Sequence, residues 1–396
     1  MARSKAQKSS PGDKKPETKR AAGKKRVAET KRVVGKKRVT LKAVAEYLNL
    51  SPATVSLVIN RSPVAKSIPQ ETQDRVFEAA RKLNYRPNYM ARSLRNQRSQ
   101  TIGVLVPEIS EGYASGVLSG IEDHLRSHGY FYLVASHRSR QDLFEQYSNL
   151  LEDRAVEGFI LVATPLTAPP NLPTVAVAGH QELEGVTNLV LDHDHAAQQA
   201  LEHLTGLGHE HIAFFKGHPN SSDTVDRWRS IERCAHQLGL PLHPELNLQL
   251  SRTPTEAFTP EDAYQEGYAF GLELLHSGVG FTSLFAFNDV SAIGAMRAFL
   301  DAGLRVPEDV SVVGFDDIQS SAFLNPSLTT VRQPLRQMGQ LAAQNLLERL
   351  ATGQPPQSWL TVEPELIVRS STGPPPARPK AGLRGSHLGS QGHSAA

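Results

Sequence analysis

Two rhythms of apolar residues divide the chain. Between Val39 and Tyr85 they recur every three or four positions in three short runs: Leu41, Val44, Ala45 and Leu48; Val55, Val58 and Ile59; Val76, Ala79, Ala80 and Leu83. That spacing predicts three amphipathic helices. Thr40 and Ser51 stand at the starts of the first two, where a hydroxyl can accept from the unpaired N–H groups of a first turn. Ser67, ahead of Pro69 and Glu71, is expected to open the third. Only Asn49 and Leu50 separate the first two helices, so they must cross steeply, as in a helix-turn-helix. From Thr101 the rhythm changes. The continuous apolar runs IGVLV, FILVA, IAFF and VSVVGF alternate with helical stretches such as Val117 to His128, Ala196 to Thr205, Trp228 to Leu238 and Ile293 to Ala302. Such runs predict strands buried on both faces of parallel sheets, with helices covering them. About 270 residues of this pattern fit two doubly wound α/β lobes better than one.

The ends of the chain read differently. Residues 1–38 hold 15 basic and 3 acidic side chains, and Gly23-Lys-Lys-Arg-Val27 recurs as Gly35-Lys-Lys-Arg-Val39. The whole chain has 43 basic and 40 acidic residues, a formal +3, so residues 39–396 carry 28 against 37, or −9. A basic tail on an acidic body is expected to touch DNA phosphates and to lack a fold of its own. The segment from Gly373 to Ala396 is rich in Pro, Gly, Ser and Arg, shows no heptads, and is likewise expected to be a tail. With one cysteine, Cys234, there is no disulfide framework and no Cys-rich zinc module. Neither an apolar run of membrane-spanning length nor a signal-peptide core is evident, and a reducing cytoplasm is expected.

The run from Val39 to Asn60 (VTLKAVAEYLNLSPATVSLVIN) resembles the headpiece of the lactose and galactose repressor family, LacI/GalR. The likeness continues through Asn84-Tyr-Arg-Pro-Asn88, through Ala91-Arg-Ser-Leu94, and through the α/β region to about residue 370. It implies a DNA-binding transcriptional regulator that acts as a homodimer on a pseudo-palindromic operator, under control of a small-molecule effector. Five segments are expected: a tail (1–38), a headpiece (39–86), a hinge helix and linker (87–100), an effector-binding and dimerisation core (101–372), and a second tail (373–396). Lobe one would comprise about 101–190 plus 333–355, and lobe two about 191–332 plus 356–372.

Several headpiece residues are candidates for DNA contact. Pro52, Ala53, Ser56 and Leu57 lie near the N-terminus and on the outward face of the second helix, within reach of base edges in a major groove. Ser51 and Thr54 suit phosphates, which position without reading sequence, and Thr40, Leu41 and Asn60 flank them. Many family members carry Arg at the position of Leu57, which can offer only apolar contact, for instance to a thymine methyl. The resemblance further implies that Tyr89, Ala91, Arg92 and Leu94 form a hinge helix that pairs with its copy in the minor groove. Leu94 would be the wedge, and Arg92, Arg95 and Arg98 would hold phosphates.

Effector residues are expected in loops that follow strands, because ligands of such folds bind at the carboxyl ends of the sheets. Here the chain resembles periplasmic sugar-binding proteins. Glu108 and Tyr113 follow IGVLV, Arg227 follows IAFF, Asn288 follows FAF and Asp316 follows VVGF. Arg227, Asn288 and Asp316 match family ligand positions, although Ser230 stands where the family has glycine. Asp and Asn read paired hydroxyls, and an arginine forks onto adjacent oxygens or a carboxylate, so a sugar, a related metabolite or a nucleobase is expected. Asp317 is expected to cap its loop. Where many relatives place a stacking aromatic before Gly267, this chain has Asp262, with Phe258 and Tyr264 nearby.

Competing chemistry is sparse. The chain contains no G-x-G-x-x-G, P-loop, G-x-S-x-G or H-E-x-x-H sequence, so no enzyme, cofactor or metal is expected. Asp192-His-Asp-His195 and His209-Glu-His211 have metal-ligand spacing, yet are read as solvated, with Asp192 or Asp194 capping a helix that starts near Ala196. Cys234 is expected to pack as a small apolar residue. Alternatives to an effector-controlled regulator are a small-molecule-binding module with nonspecific DNA anchoring, and a sugar-handling enzyme.

Overall fold

The computed structural model describes residues 39–86, 98–109, 112–219, 221–250, 260–353 and 357–381, without the side chains of 260–262. The first tail, residues 382–396 and the hinge residues Tyr89, Ala91, Arg92 and Leu94 lie outside them. The expectation of a tail from Gly373 is corrected: residues 373–381 pack on the α/β region, with the Gly373 carbonyl 2.9 Å from His209 Nε2, Lys380 paired with Asp309 at 2.6 Å and Ala381 1% exposed beside Phe281. A Pro- and Gly-rich run shows no period, yet its backbone can still find buried partners. The chain divides into two compact units, Met1–Asn88 and Tyr89–Ala396.

In the first unit three helices, α1 (Leu41–Leu48), α2 (Pro52–Ile59) and α3 (Gln70–Lys82), close around Val44, Ala45, Val55, Val58, Val76 and Ala79. Thr40 caps α1, its Oγ1 accepting from the Ala43 N–H at 3.2 Å, and Ser51 caps α2, accepting from the Thr54 N–H at 3.0 Å. The turn between them works because Asn49 takes a left-handed conformation, φ 54°, which asparagine tolerates better than most residues. Ser67 does not open α3. It ends the 3₁₀ turn Pro63–Ser67 and donates to the Val64 carbonyl, and α3 starts after Pro69 with no side-chain cap.

The second unit consists of two lobes, each with a six-stranded sheet. Lobe one's sheet contains β1 (Thr101–Val106), β2 (Phe131–Ser136), β3 (Phe159–Val162), β4 (Thr174–Val177), β5 (Val186–Leu191) and β11 (Trp359–Val362), in the order β11-β5-β4-β3-β1-β2, all parallel. Lobe two's sheet contains β6 (Ile212–Lys216), β7 (Asn247–Gln249), β8 (Ser283–Phe285), β9 (Ser311–Asp316), β10 (Thr329–Arg332) and β12 (Glu365–Ile367), in the order β12-β10-β9-β8-β6-β7. Only the β10–β12 pairing is antiparallel. The central strands are buried on both faces, the pattern that follows from helices covering each side.

The chain crosses between lobes after Leu191, after Arg332 and after Val362. The division at residue 356 is therefore corrected. Trp359–Val362 joins lobe one, pairing in register from Trp359 with Asn188 to Val362 with Leu191, and only Glu365–Ile367 returns to lobe two. A four-residue strand after a long helix carries no period that distinguishes one sheet from another.

The helices that cover the sheets pack through glycine. In lobe one α4 (Tyr113–Ser127) meets α10 (Leu335–Thr352), and a Cβ at Gly120 would overlap the Arg336 carbonyl. Lobe two repeats the device where α8 (Pro260–His276) meets α9 (Asp289–Asp301): a Cβ at Gly267 would overlap backbone atoms of Ser291. Cys234 is buried in the core of lobe two, on α7 (Thr224–Gln237), beside Ile231 and Ala235.

Candidate functional site: a headpiece surface and an inter-lobe cavity

In the headpiece, Ser51, Pro52, Ala53 and Asn60 are exposed, and Thr54, Ser56 and Leu57 are partly so. The polar members are already engaged. The Ser51 and Thr54 hydroxyls lie 2.8 Å apart, and Asn60 Nδ2 donates to the Ser56 carbonyl at 2.8 Å and to its Oγ at 3.2 Å. Thr40 is exposed and Leu41 is partly buried against the core.

Arg98 differs from expectation. Instead of standing free for phosphate, its guanidinium donates to Glu157 Oε2 at 3.0 and 3.1 Å and to Tyr130 Oη at 2.7 Å. Glu157 Oε1 also accepts from the Gln100 N–H at 2.6 Å, so one carboxylate pins the chain as it enters β1.

Glu108, Tyr113, Arg227, Asn288 and Asp316, which are far apart in sequence, line one cavity of about 580 Å³ between the lobes. Glu108 and Tyr113 come from lobe one, the other three from lobe two, each at the carboxyl end of a strand or the start of the next helix.

Arg227 is 4% exposed and packs against two aromatic rings, with its guanidinium carbon 3.7 Å from the Phe315 ring centre and 4.3 Å from that of Phe287. One terminal nitrogen donates to the Phe287 carbonyl at 2.6 Å and the other to Asp223 Oδ2 at 3.1 Å; Nε has no protein partner. Two of its five N–H donors are therefore taken by protein acceptors, and Asp223 balances its charge, so the site attracts an anion less than a free guanidinium would. Asn288 caps α9, its Oδ1 accepting from the Ser291 N–H at 2.9 Å, which leaves the amide NH₂ for a ligand. Ser230, in place of the family's glycine, is buried and accepts from Arg233.

Asp316 holds a backbone conformation that L residues rarely adopt, φ 109°, and such strain persists where the surroundings enforce it. Its Oδ1 accepts from Gln333 Nε2 at 2.7 Å. Burial pushes the carboxyl up to about 8, aided by Asp289 and Asp223 and opposed by Arg227. At neutral pH it therefore holds its proton and can both donate and accept. Tyr113 is half-buried, but its hydroxyl is shut from solvent and has no protein partner; burial first, then Asp223 and Asp316, push it well above its ordinary value, so it stays a neutral donor. Gln333 Oε1 is likewise without a partner. Unmatched donors and acceptors in a buried cavity are costly unless water or a ligand meets them, and their mixed polarity suits hydroxyl groups.

Further lining residues had no local signal in sequence. His218 Nε2 lies 3.0 Å from Glu266 Oε2, and Glu266 is 2% exposed. Asp223 accepts from Arg227 and lies 2.6 Å from His180 and 3.3 Å from His193. Burial works against its charge, but these donors hold the carboxyl well below the usual range. Asp289 and Asp317 do not line the cavity. Asp289 is buried under three donors, Thr330, Ser321 and the Ile318 N–H, and Asp317 pairs with Arg332 and Arg369. Phe258 and the Asp262 side chain fall outside the described residues, and Tyr264 does not line the cavity; Tyr147 and Phe287 do.

The solvated reading of the histidine runs holds for Asp194, His195, Glu210 and His211, which are exposed, and is corrected for His193 and His209. Asp192 does cap α6 (His193–Gly206), but His193 and His209 are 6% and 1% exposed. His209 bonds Thr282 and Ser311 at 2.8 and 3.1 Å across strand ends, a packing role that spacing alone does not announce.

A helix-turn-helix unit joined to a two-lobed ligand-binding fold defines the class of effector-responsive transcriptional regulators. The family model "Bacterial regulatory proteins, lacI family" matches residues 40–88, and "Periplasmic binding protein-like domain" matches 201–372. The HTH-type transcriptional repressor PurR of Aliivibrio fischeri is 30% identical over 340 residues, covering 84% of this chain and 98% of that protein. The PurR of Haemophilus influenzae strain Rd is 30% identical over 344 residues, with the same coverage of 84% and 98%. Among solved structures, the lac repressor dimer bound to operator and the anti-inducer ONPF is 27% identical with a TM-score of 0.74, covering 85% of this chain and all of that one. The transcriptional regulator CelR in complex with cellobiose is 27% identical with a TM-score of 0.60, at 84% and 100% coverage. The chain belongs to the lacI family of bacterial regulatory proteins: it is a DNA-binding transcriptional regulator with an effector-binding domain.

Proposed function

We propose that the protein represses transcription in the cytoplasm as a homodimer on a pseudo-palindromic operator, with DNA affinity set by a neutral polyhydroxylated molecule, a sugar or close relative, in the inter-lobe cavity. The observation that carries the effector class is the wall formed by Arg227, Asn288 and Asp316 opposite Glu108 and Tyr113. Its arginine is committed to Asp223 and Phe287, its aspartic acid is neutral, and unmatched hydroxyl and amide groups remain. That pattern favours hydroxyls over anions. CelR, a structural neighbour, is known bound to cellobiose, and PurR relatives are repressors.

On DNA, Pro52, Ala53, Ser56 and Leu57 read the major groove while Ser51, Thr54, Thr40, Leu41 and Asn60 fix register on the backbone. Tyr89, Ala91, Arg92 and Leu94 form the hinge helix in the minor groove. Arg98 and Gln100, tied to Glu157, transmit lobe movement to the hinge. The effector acts only through its different affinity for the two lobe arrangements.

The test is selection of bound duplexes from a random library by the full-length protein at physiological salt, followed by a thermal-shift panel of neutral mono- and disaccharides. A single pseudo-palindrome whose binding changes with one sugar is the expected result. Binding without a motif, both alone and with pooled metabolites, and with a steep salt slope, would leave only a ligand-binding module anchored nonspecifically on DNA.

A further inference from the structure

Beside the effector cavity two imidazoles turn inward toward one carboxylate. His180 follows β4 on lobe one, His193 opens α6 on lobe two, and Asp223 stands at the N-cap of α7. Nε2 of His180 lies 2.6 Å, and Nε2 of His193 3.3 Å, from Asp223 Oδ1, and the three groups offer donor atoms all within 4.8 Å of one another. Among the described residues this is the one such cluster of three or more His, Cys, Asp or Glu. We propose that His180, His193 and Asp223 form a divalent-cation site of the zinc class that spans the two lobes.

Three features support it. First, zinc holds imidazole nitrogen and carboxylate oxygen at about 2.1 Å, which sets tetrahedral donors about 3.4 Å apart. The His193–Asp223 separation of 3.3 Å already fits, and His180 has to part from Asp223 by less than about 1 Å. Second, the outer shell is built. Asp226 Oδ2 lies 2.9 Å from His180 Nδ1, the carboxylate–histidine arrangement that fixes a ligating imidazole with Nε2 toward the ion. Arg227 occupies Asp223 Oδ2, which leaves Oδ1 as the single donor of that carboxylate. Third, His193 is 6% exposed, with its ring centre 5.7 Å from that of His180 and 6.4 Å from that of Phe315; among the described residues its one polar contact is the long one from Nε2 to Asp223, so this buried nitrogen faces the cluster with little else to bond.

Charge balance agrees. Both nitrogens of His180 face carboxylate oxygens, Nε2 that of Asp223 and Nδ1 that of Asp226, which only accept. A dication replaces the Nε2 proton, which leaves to solvent, and so sits between Asp223 and Asp226 opposite the single charge of Arg227. Imidazole donors select zinc, cobalt or nickel over magnesium and calcium. Asp223 also lines the cavity, so the cluster adjoins it, and water or a ligand hydroxyl would complete the tetrahedron. An ion held by His180 on one side and by His193 and Asp223 on the other ties the lobes together.

The experiment titrates tag-free, chelator-treated full-length protein with Co²⁺ and then Zn²⁺, without DNA or sugar, so the result stands apart from the effector reading. We expect one equivalent per chain, a tetrahedral Co²⁺ visible spectrum displaced by Zn²⁺, and proton release detected by calorimetry in buffers of different ionisation enthalpy. His193→Gln and His180→Gln should each weaken binding about 100-fold or more, Asp226→Asn about 10- to 100-fold, and His211→Gln, outside the cluster, should change nothing. Absence of saturable Co²⁺ or Zn²⁺ binding overturns the proposal, as does wild-type affinity in His193→Gln and Asp226→Asn. If either cluster variant with a ligand removed misfolds by near-UV circular dichroism, Asp226→Asn decides alone, since Asp226 is 38% exposed and is not itself a ligand.

Discussion

The two walls of the effector cavity are built on different plans. On lobe two, Arg227, Asp223, Glu266, Asn288 and Asp316 are all held by protein partners, and all but Asn288 are buried. On lobe one the facing residues include Glu108, Ser139 and Tyr147, which are half-buried or exposed. A pre-organised wall binds without the cost of ordering its side chains, so it selects the ligand. The freer wall is what a ligand orders when the lobes close. Recognition and response are thereby assigned to different halves of one pocket.

The sharpest test of that asymmetry is Arg227→Leu. It removes the proposed ligand contact and leaves the Asp223 carboxylate buried with one fewer cation, a change that typically costs about 3–5 kcal/mol. Urea unfolding should show that loss, and calorimetry should show no sugar binding. A loss under about 1 kcal/mol would mean that the wall is not pre-organised by this pair. Next comes Asp289→Ala, at about 3 kcal/mol by the same measurement. Three donors that now converge on this buried carboxylate, from Thr330, Ser321 and the backbone of Ile318, would lose their acceptor. These contacts anchor the loop that follows Asp316, so sugar affinity should fall as well, although Asp289 does not line the cavity.

Lobe one carries its own buried polar group behind the freer wall. His137 is 3% exposed, its Nε2 lies 2.8 Å from Thr164 Oγ1, and burial pushes the imidazole down to about 4. Its value in the folded state is below that of the unfolded chain, so stability is complete above about pH 6.5 and is lost as pH falls from there toward 4. The loss reaches about 2–3 kcal/mol at the acid end. Denaturation midpoints between pH 7 and 4.5 should show this slope, and His137→Gln should flatten that part of the curve. An unchanged slope in the variant would assign the acid sensitivity to other groups.

How far the sequence announces these arrangements depends on how local they are. Thr40 and Ser51 cap the very turns they precede, and the apolar spacing around Val44, Val55 and Val76 is that of the helices that form, because each signal lies within one or two turns of chain. The buried strands β1, β3, β6 and β9 are legible as continuous apolar runs. Arg227, Asn288 and Asp316 are legible because strand-end loops and a family pattern point to them. Asp223, His180, Glu266 and Gln333 are not, since their meaning lies in partners such as the His180–Asp223 pair, 43 positions apart. The same holds for Arg98, whose charge suggests DNA until Glu157, 59 positions away, is folded against it. Ser67 fails for a subtler reason: Pro63 and Ser67 make a 3₁₀ turn that spends the hydroxyl on Val64 before the helix begins. Trp359–Val362 has too few residues to declare its sheet.

The smallest expected effect is the one that would most directly break the comparison. Tyr147 lines the cavity from lobe one and is half-buried. Tyr147→Phe keeps the ring that packs against the lobe and removes only the hydroxyl, so stability should stay within about 0.5 kcal/mol of the wild type. Sugar affinity should fall by about tenfold or less, the value of one hydrogen bond formed on closure. If this wall is the one ordered by the ligand, that loss should appear mainly as faster dissociation in stopped-flow fluorescence, because the contact forms after the ligand has met the lobe-two wall. Abolished binding with stability unchanged would move recognition to lobe one, and the two walls would then have to exchange roles.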